Sequence, residues 1–179
     1  MPHLDLDTIR HRFWPNETGR DIWVVLDGAR ERRIYGHVVD TYLESSCLYS
    51  GTLPPEVEVA APYLVNLEYD DRLTRRILEE GFGKSWGIFL KSSISLSRLR
   101  RHLREFLIVI GPSGNRMLFR YYDPRVLRAY LPTCTSGELR TVFGPIETFW
   151  TEGEMPGTLL EFKFENSKLI QNSVRLAEG

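Results

Sequence analysis

The feature of this sequence that most resembles an enzyme site is an aspartate at the end of an apolar run. Residues 21–26 (DIWVVL) are typical of a buried strand, and Asp27-Gly28-Ala29 breaks it. Hydrolases of the haloacid dehalogenase type place a nucleophilic aspartate at such a point. They also need a second acid two residues later to protonate the leaving group, and Ala29 stands there instead. Because Asp and Gly favour turns by themselves, the sequence predicts a turn, with a small phosphatase-like hydrolase using Asp27 as the alternative.

Other catalytic and metal-binding patterns are absent from the sequence. The four histidines do not fall at the i, i+4 spacing of a helical metal pair, and neither Cys47 nor Cys134 lies near a histidine. No GxSxG nucleophile elbow, GxGxxG loop or Walker-type loop is present. We therefore expect no catalytic residue, no cofactor and no metal.

A group of arginines is the main candidate for binding another molecule. The spacing predicts a helix over residues 96–105, with leucines and Phe106 on one face. Its opposite face carries four arginines: Arg98, Arg100, Arg101 and Arg104. We interpret this face as either a solvated helix surface or a docking surface for an acidic partner. A nucleic-acid partner is not expected, because the net charge is -1 and aromatic residues are not interleaved with the arginines.

A second charged group surrounds a predicted strand–helix junction. Asp123 can cap the helix, and Pro124 suits its first position, where a missing amide costs nothing. Arg120 and Arg125 flank this cap, so a bidentate carboxylate–guanidinium pair is expected. Tyr121–Tyr122 come directly before it. We interpret the group first as structural and second as a recognition corner.

These side chains require a series of strands and helices to position them. The periodicity predicts strands over residues 21–26, 47–49, 63–67, 86–90, 107–110, 117–122, 146–150 and 160–164. It predicts helices over residues 4–13, 30–42, 55–61, 70–80, 96–105, 124–131 and 136–143. Ser95 is expected to cap the fifth helix and Asp70 the fourth.

The resulting fold class is α/β in the mixed α+β sense, a single domain with a mixed β-sheet and a central hairpin flanked by helices. Strand–helix–strand units at 21–49 and 86–110 predict parallel strands joined by crossovers. Within the domain we distinguish an N-terminal helical segment (1–20), a core (21–150) and a C-terminal strand and tail (151–179). Residues 166–179 lack periodicity and are expected to form a loose tail or an arm ordered by a partner.

Length and composition limit the class of protein. A chain of 179 residues suits one domain, which buries roughly 70% of the surface of its unfolded chain. Two distant cysteines favour a reducing cytoplasm, and no run is long and apolar enough to predict a signal peptide or a membrane span. We expect a cytoplasmic protein that does not insert into membranes.

Several segments together resemble the adaptor or chaperone proteins of bacterial type VI secretion, which are encoded beside spike and effector genes. The matching segments are VVLDGAR (24–30), CLYSG (47–51), APYLVNL (61–67), GKSWGIFLKSS (83–93), SLSRLRRHLREFLIV (95–109), LFRYYDPRVLRAYLP (118–132) and FGPI (143–146). The combination of FRYYDPR with WGIFLKS makes the resemblance specific.

This resemblance implies a non-enzymatic protein that holds one toxic effector in the bacterial cytoplasm and helps to load it onto the VgrG spike, with a PAAR-type tip as a further candidate contact. The shared motif residues are expected to be structural: Asp27, Gly28, Trp86, Tyr121, Tyr122, Asp123 and Pro124. Partner contacts are expected on the arginine face, at Arg120 and Arg125, and over residues 153–179.

Overall fold

The computed structural model describes residues 5–17, 19 and 21–176. These residues form seven α-helices and nine strands. The helices are α1 (Leu6–Phe13), α2 (Arg33–Val39), α3 (Pro55–Val59), α4 (Arg72–Arg76), α5 (Leu96–Arg104), α6 (Pro124–Tyr130) and α7 (Ser136–Phe143). The strands are β1 (Ile22–Asp27), β2 (Ser45–Cys47), β3 (Pro62–Leu67), β4 (Gly87–Lys91), β5 (Ile108–Ile110), β6 (Arg116–Leu118), β7 (Thr148–Glu152), β8 (Thr158–Glu165) and β9 (Lys168–Arg175). A π-helical turn, Ile77–Gly81, continues α4, and a 3-10 turn, Leu131–Thr133, continues α6.

Seven of the strands form one sheet in the order β2-β3-β1-β4-β7-β8-β9, and β5 and β6 form a separate hairpin. Every neighbouring pair among these described strands is antiparallel. The α+β class and the single domain are confirmed. The prediction of a mixed sheet is wrong, because the described sheet is antiparallel and no neighbouring pair in it runs parallel. The predicted hairpin of β5 and β6 is present, but it lies outside the large sheet and not at its centre.

Of the two predicted crossovers, one is present and the other is wrong. The strands β1 and β2, joined through α2, run parallel in the same sheet, because each pairs antiparallel with β3, which lies between them. The second expected crossover fails because α5 leads into β5, which lies outside the large sheet. A strand–helix–strand pattern specifies the order of elements along the chain, whereas a later strand can still insert between the two.

The sheet separates two hydrophobic cores, which explains why its central strands are apolar at consecutive positions. In β1, Val24 and Leu26 pack into a core shared with α1 and α2, whereas Trp23 and Val25 pack into a core shared with α5, α6 and α7. All six residues of β1 and all six of β3 are buried. Strands covered on both faces lose the alternation seen when one face is wet.

Helix starts follow the sequence in one case and depart from it in two. Asp123 caps α6 as predicted, accepting a hydrogen bond from the Arg125 amide at 2.9 Å. Ser95 makes no capping bond to α5. The cap of α4 is Asp71 and not Asp70, because its Oδ1 atom accepts from the amides of Leu73 and Thr74.

The regions around the hairpin and the C-terminus differ from prediction. Residues 107–110 were expected to be covered on both faces, but Ile108 is 43% and Ile110 68% exposed. The predicted loose tail contains β9, which pairs with β8 along its whole length. Leu176 is buried after it, and residues 177–179 lie outside the described part of the chain.

Candidate functional site

The structure joins Asp27, at the end of β1, to Arg120, which follows β6. The Asp27 side chain is only 1% exposed, and its Oδ2 atom accepts a hydrogen bond from the Arg120 guanidinium. Its Oδ1 atom accepts from the Ala29 amide at 3.1 Å. Burial lowers the pKa of Arg120, but the hydrogen bond and charge of Asp27 more than offset this and raise it. Both carboxylate oxygens are thus engaged in holding the turn and in linking β1 to the segment after β6.

Gly28 is required by a close approach of two backbone segments. The Gly28 amide donates to the Ala61 carbonyl at 3.1 Å. A Cβ atom at this position would lie 2.5 Å from the Val59 oxygen and 2.6 Å from the Ala61 oxygen. Since these are backbone atoms, they cannot move away as a flexible side chain would. The predicted turn at Asp27 and Gly28 is confirmed, and its glycine has a steric cause.

The predicted pair between Asp123 and Arg125 is present. The Arg125 Nε and Nη2 atoms donate to the two oxygens of Asp123 at 3.0 and 2.6 Å. Burial by itself would raise the pKa of Asp123, but the hydrogen bonds from Arg125 bring it below its ordinary value. The same carboxylate caps α6, so one aspartate anchors both the helix and the arginine.

The two tyrosines between these charged residues point into the core beside α5, α6 and α7. Tyr121 is 4% exposed and its hydroxyl donates to the Leu103 carbonyl at 2.8 Å. Tyr122 is 1% exposed, and burial together with a hydrogen bond with Tyr49 raises its pKa. Neither ring is presented to solvent, so these tyrosines do not offer a stacking surface for bases.

Trp86 directly precedes β4, and its ring packs against Gly81. Its ring is 3% exposed and touches Gly81 so closely that a Cβ there would lie 2.6 Å from it. Its carbonyl accepts from the Asp27 amide at 2.7 Å, which connects this residue to the turn after β1.

Sequence reasoning missed Glu152, the last residue of β7, whose side chain binds the loop between the π-helical turn and β4. Its carboxylate accepts from the Gly83 amide at 2.6 Å and from the Ser85 hydroxyl at 2.9 Å. Ser85 has a left-handed φ of 59°, a conformation that costs energy for a residue with a side chain. No local signal points to this contact, because Glu152 lies 67 positions after Ser85.

The arginine face of α5 divides into one structural residue and three free ones. Arg100 donates from Nε to the Cys47 carbonyl at 2.7 Å and from Nη2 to the Tyr49 carbonyl at 2.8 Å. It therefore ties α5 to the end of β2. The side chains of Arg98, Arg101 and Arg104 have no hydrogen bond or ion pair with the described residues. Arg101 and Arg104 border an open depression that is also lined by Glu44 and Glu105.

The predicted binding arginines are thus not gathered into one site. Arg120 and Arg125 lie at the junction before α6 and are paired with carboxylates, although their side chains are 41% and 52% exposed.

The described histidine, cysteine and acidic residues form no cluster of three or more that could hold a metal ion.

An exposed apolar hairpin is the surface feature that the sequence did not predict. In the hairpin, Ile108, Ile110, Met117 and Leu118 are between 42% and 68% exposed. None of them belongs to either hydrophobic core. Their apolar run is compatible with a buried strand, which is why pattern alone misplaced them.

Comparison with known proteins gives one match. The sequence model of a family described as a domain of unknown function, DUF4123, matches residues 22–141, which are 120 of the 179 residues. No curated protein and no solved structure matches the chain. None of the described helices has the length and apolar character to span a membrane.

Proposed function

Since the chain belongs to the DUF4123 family, we propose that it is a non-enzymatic adaptor that holds a type VI secretion effector in the bacterial cytoplasm and helps to load it onto the VgrG spike. The observation that carries the proposal is the family match over residues 22–141, taken with the resemblance of the FRYYDPR and WGIFLKS segments to type VI adaptors. Neither nucleic acid nor a membrane is part of the proposed activity.

The use of the motif residues supports a binding role over a catalytic one. Asp27, the one candidate nucleophile, is buried and has both oxygens engaged by Arg120 and by the Ala29 amide. Asp123 and Trp86 are likewise occupied within the scaffold. A nucleophile needs an open approach to its substrate, and a residue that joins two segments in the interior has none.

The surface supports the same role. An adaptor must cover an exposed apolar surface of the effector until the effector is bound by the spike complex. The adaptor therefore needs an exposed apolar area of its own. Here that area is the hairpin, and the three free arginines of α5 precede it in the chain.

The test is co-expression with the effector and spike proteins encoded beside this chain, followed by affinity purification and size-exclusion chromatography. We expect a stoichiometric complex with the effector, and an effector that aggregates or is degraded when it is expressed alone. An effector from an unrelated cluster serves as the control and should not co-purify. Elution of the chain alone, with both neighbouring proteins soluble without it, would contradict the proposal.

A further inference from the structure

The hairpin β5–β6 exposes its apolar side chains on both of its faces. In the register of the pair, Ile108 lies opposite Leu118 and Val109 opposite Met117. Directly opposite residues share a face, so Ile108, Ile110 and Leu118 line one face and Met117 the other. A two-stranded hairpin is at best marginally stable by itself in water. It is held at its base, where the Phe119 amide donates to the Leu107 carbonyl at 2.8 Å.

The segment of chain that carries the hairpin is basic. Between Leu96 and Tyr122 the chain carries six arginines and a single acidic residue, Glu105. The hairpin itself contributes Arg116, which is exposed and has no ion pair with any residue that the structure describes. Arg104 lies four residues before β5, and Arg101 lies one helical turn earlier on the same side of α5.

We propose that the hairpin and the adjoining arginines Arg101, Arg104 and Arg116 form one docking surface for an acidic segment of the effector that also carries apolar side chains. The inference rests on the proposed adaptor function and names the surface that performs it. Apolar side chains of the segment cover Ile110 and Leu118, and its carboxylates pair with the free guanidiniums.

Charge selects this occupant over a second copy of the chain. A twofold interface brings the same patch of both copies together, so Arg116 and its neighbours would face other arginines across it. Like charges placed against each other across an interface are repelled, whereas an acidic segment neutralises them. None of the exposed apolar side chains on the hairpin is aromatic, so they provide no ring on which bases could stack.

The experiment measures binding of the purified effector to the full chain and to two groups of variants. The test variants are Ile110→Asp with Leu118→Asp, and Arg101→Glu with Arg104→Glu. The matched controls are Val39→Asp and Arg32→Glu, which lie at α2 on the opposite side of the sheet. Val39 is 61% exposed against 68% for Ile110, so both changes place a charge at a similarly open position. Circular dichroism and thermal unfolding confirm that each variant is folded.

We expect each test variant to weaken effector binding by about tenfold or more and each control to leave it within about twofold. Added salt should weaken binding to the wild type further. If the wild type binds the effector and the test variants bind it equally well, the docking surface is wrong while the adaptor function stands. If the wild type binds neither effector nor spike, both proposals fail.

Two other results would overturn the assignment of the occupant. A wild-type dimer that the hairpin variant converts to a monomer would identify a second copy as the occupant. Binding that nuclease treatment abolishes would identify nucleic acid.

Discussion

The arginines of α5 and of the junction before α6 fall into two groups, according to whether the guanidinium has a hydrogen-bond partner among the described residues. Arg100, Arg120 and Arg125 donate to carbonyl or carboxylate oxygens and hold segments of the scaffold together. Arg98, Arg101 and Arg104 have no such partner among the described residues. A guanidinium paired to a buried group stabilises the fold, whereas an exposed one contributes little to stability and remains available to a partner.

Replacing Arg120 tests the structural role of the first group. Arg120→Met should lower the free energy of unfolding by about 3 kcal/mol, because Asp27 would be left as a buried carboxylate without its counter-charge. Arg101→Met should change it by less than about 0.5 kcal/mol. Denaturant unfolding of the two variants measures the difference. Equal stability of both would show that the pair between Asp27 and Arg120 does not stabilise the fold.

At the level of the elements, the helices differ in whether the residue before the first turn makes a side-chain cap. The α7 helix has a complete capping box, in which Glu138 donates its amide to the Thr135 hydroxyl and the Glu138 carboxylate accepts from the Thr135 amide. The α5 helix lacks a side-chain cap, although Ser95 precedes it in the position where one is expected. The Ser95 hydroxyl lies 3.3 Å from the Ser97 hydroxyl instead.

The two caps therefore predict different responses to the same kind of truncation. Thr135→Ala should cost about 1 kcal/mol of stability, because an amide of the first turn loses its acceptor. Ser95→Ala should cost less than about 0.5 kcal/mol, because no capping bond is lost. Thermal or denaturant unfolding distinguishes the two. A loss at Ser95 as large as that at Thr135 would mean that the hydroxyl of Ser95 does cap α5 in solution.

At the level of the whole molecule, the first helix and the last strand pack together. The Asp5 amide donates to the Leu176 carbonyl at 2.8 Å. Glu161, buried in β8, joins the same region, since its carboxylate accepts from Trp150 at 3.0 Å and from Asn172 at 3.3 Å and lies 3.7 Å from Arg12. The single carboxylate connects β7, β8, β9 and α1.

This connection should depend on pH. Burial raises the pKa of Glu161, but the hydrogen bonds from Trp150 and Asn172 and the nearby cations bring it below the ordinary 4.5. A carboxyl group whose pKa is lower in the folded than in the unfolded state stabilises the fold at pH values above its unfolded-state pKa. This contribution is lost as the pH falls through the folded-state pKa. Glu161→Gln should therefore reduce stability by about 1 kcal/mol near pH 7, and the difference from wild type should shrink below about pH 4.

Unfolding curves collected across this pH range test the connection. Glu165→Gln is the matched control, because Glu165 is exposed at the end of the same strand. Its stability should follow that of the wild type throughout. A difference between Glu161→Gln and wild type that persists at low pH would contradict an ionised, stabilising Glu161.

How far the fold could be predicted depended on how local each signal was. Some signals act over only a few residues, and the elements predicted from them are confirmed. They are the apolar runs of β1 and β3, the cap and proline that begin α6, and the glycine that ends the π-helical turn. The Asp123–Arg125 pair was predictable for the same reason, since its members are two residues apart. Helical periodicity placed four arginines on one face of α5, but it did not predict that Arg100 would be bound to the end of β2.

The sequence by itself determined the α+β class and most of the helices and strands, though not β9, because backbone preferences and apolar periodicity are properties of neighbouring residues. Its motifs also carried the resemblance to a family. Only the tertiary structure decided the antiparallel strand order, the placing of β9 at the sheet edge and the exposure of the hairpin. It also brought Asp27 to Arg120 across 93 positions and Glu152 to Ser85 across 67. Such contacts depend on which surfaces meet when the chain folds, and the same apolar run can satisfy either a buried core or an exposed docking surface.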